Sequence, residues 1–376
     1  MGGGRGLRCA RAWVHGFALV VVMLAAACSS GSDGSSTGAT ANPTPPVKEC
    51  GAHGGDCRLR AVAAAADLRV GTAVQTGPLA DEAAYRGTVG REFNSITAEN
   101  DMKWPTIHPA ADRYDFAAAD AVVGFAADHD MEVRGHTLLW GQTEYTTVPD
   151  YVANATGPDE LRAYVDDHIT TVVRRYRGRV QRWDVVNEPL DTVGTAMENN
   201  VFLRLLGEGY IADAFRTAHR ADPAAELWLN EAVLETLPAK AQAFADLVTR
   251  LVADKVPIDG IGLQTHLLAG VPDPVAFRAL VRRFADLGLD VAITEMDLPA
   301  GTGPDRLERQ ARGYATTIGA CLAVPRCREV TFWGFTDRHT WIDDFLGPGH
   351  DPLLFDRDYQ PKPAYSAVRE QLAARR

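Results

Sequence analysis

From Leu68 onward the sequence alternates short apolar, strand-like runs with amphipathic, helix-like ones, and it does so eight times. The runs that read as strands are Leu68–Val74, Ser95–Glu99, Glu132–Trp140, Gln181–Glu188, Glu226–Asn230, Gly260–His266, Asp290–Glu295 and Glu329–Phe335. Between them apolar residues fall at helical spacing, as in Leu161, Val165, His168, Ile169, Val172 and Val173, or Phe244, Leu247, Val248 and Leu251. Strict alternation excludes an antiparallel sandwich, and helices of this kind cover a parallel sheet from outside. The stretch from Leu68 to the end, roughly 310 residues, fits a (β/α)8 TIM barrel, an α/β fold. A doubly wound open sheet is the alternative. No Gly-x-Gly-x-x-Gly opens the first helix, so no dinucleotide site supports it.

In such a barrel the carboxyl ends of the strands form the working face, and the polar residues of this chain gather there. The second run ends in Thr97-Ala98-Glu99-Asn100 and continues to Lys103-Trp104. The third carries His136 and ends at Trp140; the fourth ends in Asn187-Glu188-Pro189. The sixth ends in Gln264-Thr265-His266, the seventh in Glu295-Met296-Asp297, and the eighth carries Trp333, followed by Asp337 and Trp341. A single His or Trp in such a place is more often a structural hydrogen-bonder or core residue. Convergence of all of them on one rim is hard to explain as packing.

Two of these residues, Glu188 and Glu295, share one design: an apolar strand, then a glutamate, then a turn. Facing each other across a barrel mouth among indoles, amides and imidazoles, they describe a sugar site. Pyranose rings pack their C–H faces on Trp, and their hydroxyls need Asn, Gln, Glu, Lys and His partners. Cleaving a glycosidic bond needs one protonated carboxyl and one ionised carboxyl. His266 is placed to hydrogen-bond both Glu295 and Asp297 and so keep Glu295 charged, while Glu188 in a drier setting would hold its proton.

The formal charge of −11 argues against polyanion partners. No Lys/Arg-rich run and no zinc-type Cys/His spacing points to nucleic acid or to a metal. No cofactor is expected, and a monomer is. Arg5, Arg8 and Arg11 precede an apolar run from Trp13 through Ala27, too short for the roughly 20 residues of a spanning helix. Residues 1–27 therefore read as a secretory signal. Cys28 follows Ala25-Ala26-Ala27 in an imperfect lipobox, with Leu24 one position further from the cysteine than usual. Both a lipid anchor on the membrane and plain secretion fit. Residues 28–57 read as a Ser/Gly/Pro-rich spacer and 58–376 as the catalytic domain. In an exported chain two close pairs of cysteines, Cys50 with Cys57 and Cys321 with Cys327, suggest two local disulfides.

Taken in order, the motifs Thr97-Ala98-Glu99-Asn100-Asp101-Met102-Lys103-Trp104, Arg134-Gly135-His136-Thr137-Leu138-Leu139-Trp140, Trp183-Asp184-Val185-Val186-Asn187-Glu188-Pro189, Gln264-Thr265-His266, Ile293-Thr294-Glu295-Met296-Asp297, Trp333-Gly334-Phe335-Thr336-Asp337 with Trp341, and Pro352-Leu353-Leu354-Phe355-Asp356 resemble those of glycoside hydrolase family 10, the retaining endo-β-1,4-xylanases. The resemblance implies endo-acting hydrolysis of xylan, with Glu188 as acid/base and Glu295 as nucleophile. It also implies that Glu99, Asn100 and Lys103 bind the non-reducing side of the chain. His136, Trp140, Asn187, Gln264, His266, Trp333 and Trp341 would surround the sugar at the cleavage point, with Asp297 in support. The pair Cys321 and Cys327 also resembles a disulfide of many members. Rival expectations are a related barrel enzyme for cellulose or mannan, and a non-catalytic carbohydrate-binding surface lipoprotein.

Two departures bear on substrate. Where the family usually has His-Ser-Gln after the Trp, Gly141-Gln142 follows Trp140 directly, and Gln142 is expected in the glutamine's place. Where the family commonly shows Asn-Asp-Tyr-Asn, this chain has Asn230-Glu231-Ala232-Val233. The lost Tyr is expected to weaken stacking on the leaving-group side by ~1 kcal/mol.

Overall fold

The computed structural model describes residues 57–142 and 145–375. The signal, Cys28, Cys50 and the spacer up to residue 56 lie outside the described residues. Eight parallel strands close into a barrel in sequence order. They are β1 Arg69–Val74, β2 Ser95–Ala98, β3 Glu132–Trp140, β4 Arg182–Asn187, β5 Glu226–Glu231, β6 Gly260–Leu263, β7 Asp290–Met296 and β8 Cys327–Phe332. The ring closes where β1 pairs with β8, Arg69 opposite Glu329 and Thr72 opposite Phe332. All eight expected strands are present and the TIM barrel is the fold.

The differences lie at the strand ends. The fourth run stops at Asn187, because Glu188 turns to a left-handed φ of 51°. The sixth stops at Leu263, and Thr265 follows at φ 63°. Non-glycine residues rarely adopt this conformation. Its effect here is to turn the ends of these strands over the barrel mouth, while the Glu188 N–H still donates to the Asn230 carbonyl at 2.9 Å and the Gln264 N–H to that of Glu231 at 3.1 Å. The eighth strand starts two residues early, at Cys327.

The two expected disulfides stand differently. Cys321 and Cys327 are bonded across a Cα separation of 5.7 Å, which ties the helix Arg306–Leu322 to the barrel. Cys57 is the first described residue, half-buried just ahead of the helix Leu59–Ala65, and its sulfur is disulfide-bonded. Its expected partner, Cys50, lies outside the described residues, so Cys57 is placed as half of a disulfide while its pairing with Cys50 stays an expectation from spacing. Cys57 leads into β1 from the amino-terminal side, so it belongs with the framework and not with the mouth.

The helices follow from their sequences. Pro158–Arg175 opens with Pro, carries Asp159 and Glu160 in its first turn and Arg174 and Arg175 in its last, in keeping with the helix dipole. It buries the six residues whose spacing marked it, Leu161 through Val173. Asp273 caps Pro274–Ala285 by accepting from the amides of Val275 and Ala276. Among the described residues no helix is long and apolar enough to cross a membrane.

The floor of the barrel is a charged ring built from the early residues of the strands. Arg134 spans both oxygens of Glu329, at 3.0 and 3.3 Å, and reaches Asp184 at 2.6 Å. Arg182 pairs with Glu329 at 3.1 Å and with Glu132, which Arg69 holds from the other side at 2.6 Å. Arg134, Arg182 and Glu329 are fully buried, and this mutual pairing offsets the cost of their burial.

Candidate active site

Most strands deliver their last one or two side chains to the mouth. Glu188, after β4, receives three neutral N–H groups. The Trp140 indole donates to Oε2 at 2.9 Å, and the Gln264 and Asn187 amides donate to Oε1 at 2.7 and 3.1 Å. Glu295, near the end of β7, accepts from Asn230 on Oε1 at 2.7 Å and meets Nε2 of His266 with Oε2 at 3.2 Å.

One row of amides joins the two carboxyls. Oδ1 of Asn187 accepts from Asn230 at 2.8 Å and from Gln264 at 3.3 Å, so each carboxyl shares a donor with Asn187. Asn230 is itself oriented by the Thr294 hydroxyl, which donates to its Oδ1 at 2.8 Å. It also needs the absence of a side chain at Gly262, where a Cβ would stand 2.1 Å from that same oxygen.

The expectation that Glu188 sits in the drier place is corrected here: it is 8% exposed and Glu295 4%. The two carboxyls differ in partners rather than in burial. Glu188 meets neutral donors, whereas Glu295 faces cationic imidazole. Burial pushes the Glu295 carboxyl up, but His136, His266 and the Asn230 amide outweigh it and hold it below the usual range. His266 is the other half of that arrangement. Burial would neutralise it, yet Asp297, at 2.9 Å from Nδ1, together with Glu295 raises it to about 10. His266 is therefore an imidazolium at neutral pH. Asp297 also accepts the Trp341 indole N–H at 2.7 Å.

The remaining predicted residues fall around this centre. His136 is held by Asp184 at 3.0 Å and stands edge-on to Trp333, 5.1 Å between centroids. Trp333 and Trp341 also flank His266 edge-on. Lys103 donates to Asn100 at 2.9 Å and lies 4.9 Å from the Trp140 ring centre and 5.8 Å from that of Trp333. Burial lowers the Lys103 ammonium, and Glu99, Glu295 and Glu188 push back. Burial raises Glu99, which Gln75 and Asn100 hydrogen-bond.

Gln142, expected at the sugar, is tied to the loop after β4. Its amide N–H donates to the Leu190 carbonyl at 3.3 Å and its amide oxygen accepts from the Thr192 hydroxyl at 3.5 Å, so it serves the loop after β4. Asn200 packs against Gly141, where a Cβ would lie 2.4 Å from its amide. At the second departure Ala232 is buried, and Val233 takes a left-handed φ of 64°, a conformation that suits Asn better than a β-branched residue.

Sequence reasoning passed over Asn230, Gln75, Lys240 and Arg134 as functional groups. Asn230 and Gln75 carry a signal: without them the fifth and first strands deliver no residue to the rim. Among the described residues no group of three or more His, Cys, Asp or Glu side chains is placed to hold a metal ion.

The model of glycosyl hydrolase family 10 matches residues 58–371. Endo-1,4-beta-xylanase B of Thermotoga neapolitana is 39% identical over 321 residues, covering 84% of this chain and 91% of that protein. Endo-1,4-beta-xylanase B of Paenibacillus barcinonensis is 35% identical over 314 residues, with 79% and 93% covered. Among solved structures, xylanase 10B from Thermotoga petrophila in complex with xylobiose superposes with a TM-score of 0.79 at 38% identity, covering 85% of this chain and 98% of that one. Extending over the described barrel and every strand end that builds the mouth, these likenesses show that the chain belongs to glycosyl hydrolase family 10.

Proposed function

We propose that Glu188 is the acid/base and Glu295 the nucleophile of a retaining hydrolase that cuts internal β-1,4-xylosidic bonds of xylan. The observation that carries this reading is the pair of buried carboxyls joined by one amide row, one facing neutral donors and the other the His266 imidazole. In the first step Glu295 attacks the anomeric carbon as the bond to the leaving oxygen breaks, and Glu188 gives that oxygen its proton. A glycosyl ester forms on Glu295 and the reducing-side fragment leaves. In the second step Glu188, now ionised, takes a proton from water; the water oxygen attacks the same carbon and Glu295 departs as carboxylate. Two inversions leave the β configuration.

His266 and Asn230 stabilise the Glu295 carboxylate as attacker and as leaving group. Glu99, Asn100 and Lys103 offer hydrogen-bonding groups for the non-reducing side, and His136, Trp140, Trp333 and Trp341 wall the sugar at the cleavage point. Asn187 and Gln264 act through Glu188, to which both donate.

Incubation with xylan, carboxymethylcellulose and mannan, followed by reducing-sugar assay and early-time NMR of the products, tests this. Release from xylan with the β anomer formed first is expected. Preferential release from cellulose or mannan, an α product, or binding of xylan without cleavage would overturn it.

The leader supports a further part of the reading: export through residues 1–27, with the barrel carried as a monomer on the 28–57 spacer, secreted or anchored through a lipidated Cys28. A bond from Cys57 to Cys50 would close a small loop where that spacer meets the barrel. The intact mass of the mature chain tests the anchor. A lipid-sized increment on a chain beginning at Cys28 supports it, and an unmodified mature chain supports plain secretion. Peptide mapping without reduction tests the loop: a Cys50–Cys57 crosslink is expected, and Cys57 crosslinked to any other thiol would overturn it.

A further inference from the structure

The loop that leaves Glu188 is fastened by side chains that belong neither to the sugar site nor to the barrel floor. Pro189 has no N–H to give, and the next residues have left the strand ladder. Leu190 nevertheless has both main-chain groups satisfied. Its N–H donates to Oε2 of Glu231 at 3.1 Å, and its carbonyl accepts from Gln142 at 3.3 Å. Two residues on, the Thr192 carbonyl accepts from Nζ of Lys240 at 3.1 Å. Lys240 also donates to Oε1 of Glu231 at 2.9 Å, and the Ala232 amide donates to that same oxygen at 2.9 Å.

Glu231 is 0% exposed and Lys240 1%. A lysine in the first turn of the helix Pro238–Ala253 would ordinarily extend into solvent; this one is turned inward, and one ion pair and one carbonyl offset its desolvation. Both departures from the family pattern are in the cluster: Gln142 from the shortened β3 loop, and Glu231 from the altered segment after Asn230.

Glu188 lies between two anchors. Upstream, its own N–H donates to the Asn230 carbonyl at 2.9 Å; downstream stands the Gln142–Glu231–Lys240 cluster. Its left-handed backbone is a conformation that persists only where the surroundings over-determine it. We infer that Gln142, Glu231 and Lys240 are positioning residues for proton donation: by clasping Leu190 and Thr192 they hold the Glu188 backbone in its left-handed turn and its carboxyl on the leaving-group oxygen. This rests on the assignment of Glu188 as acid/base.

A purely structural brace would affect all substrates alike, whereas a positioning clasp acts only where a proton is needed. The test compares kcat/KM for phenyl β-xylobioside, whose leaving group needs a proton, with that for 2,4-dinitrophenyl β-xylobioside, whose leaving group departs without one. In Lys240→Met the phenyl substrate is expected to lose on the order of 10²-fold, as for a catalytic group displaced by about 1 Å, while the dinitrophenyl substrate stays near wild type. Lys240→Arg, which keeps both donations, restores the phenyl activity.

Gln142→Met strips the Leu190 carbonyl contact and leaves no buried charge unpaired, so it reads the same split if Lys240→Met does not fold. Equal losses on both substrates, or no loss in either folded variant, overturn the inference. Glu188→Ala run in parallel separates the two claims. If Glu188→Ala shows the split and the clasp variants do not, the clasp fails alone; if Glu188→Ala shows none, the acid/base assignment fails.

Discussion

At the floor of the barrel, Arg134 and Arg182 close on Glu329 from two sides, and each buried charge is answered by another. At the mouth, at the other end of the barrel, Glu295 and Glu188 are nearly as buried, yet most of their partners are neutral amides and an indole. The two ends put the same residue types to opposite uses. At the floor, burial pushes the Glu329 carboxyl up, but the guanidiniums of Arg134 and Arg182 overwhelm it and hold it down at about 2. At the mouth, charge is held ready: an imidazolium at His266, a lysine at Lys103 lowered by burial, and an acid at Glu99 raised by it. Conserving charge for stability and presenting it for chemistry thus separate along a single set of strands.

The largest expected break in this comparison is at the mouth. With Glu295 as the proposed nucleophile, Glu295→Gln removes the oxygen that would attack while keeping the Asn230 contact, and steady-state assay on xylan should show a loss on the order of 10⁵-fold. Its thermal midpoint should move by only a few degrees. Activity surviving within tenfold would show that Glu295 is not the nucleophile.

The floor gives the converse. Glu329→Gln leaves two buried guanidiniums short of their counter-charge, and about 3–5 kcal/mol of stability should go, while kcat on xylan at a temperature well below the midpoint stays near wild type. The pH dependence carries a second check. Because the folded-state carboxyl is depressed from an ordinary 4.5 to about 2, its contribution is present above 4.5 and is lost as pH falls from 4.5 toward 2. Wild type should lose stability through that window in calorimetry or denaturant unfolding, and Glu329→Gln should lose less. Parallel curves would assign acid lability to other groups.

The smallest expected effect lies on the leaving-group side. Ala232 offers no ring, and a missing stacking platform worth ~1 kcal/mol corresponds to roughly fivefold weaker use of longer leaving fragments. Cleavage patterns of end-labelled xylooligosaccharides measure it, and an undiminished preference for long leaving groups would show that another surface has replaced the ring.

Much of the barrel is written locally. Strands and helices announce themselves through the spacing of Val, Ile and Leu, and the order of the elements then requires a parallel sheet. Glu188, Glu295 and His266 were legible for the same reason: each follows or ends an apolar strand, where a carboxylate or imidazole has no packing role to explain it. Glu231 and Lys240 were less legible. Glu231 stood only as a changed letter in a rim motif, and nothing in the spacing singled out Lys240. Arg134, three residues into a strand, gave no hint of pairing with Glu329, 195 positions away.

The sequence by itself determined the eight units, the face on which the polar residues collect, and the two glutamates that its strands carry there, because these depend on periodicity and on chemistry carried by single residues. Only the tertiary structure decided how those carboxyls are told apart. Closing the barrel brings Asn230, Gln264 and His266 from other strand ends to within hydrogen-bond reach, and it bends the chain at Glu188 between two anchors. Partner identity and backbone conformation are properties of the closed ring, and no run of consecutive residues contains them.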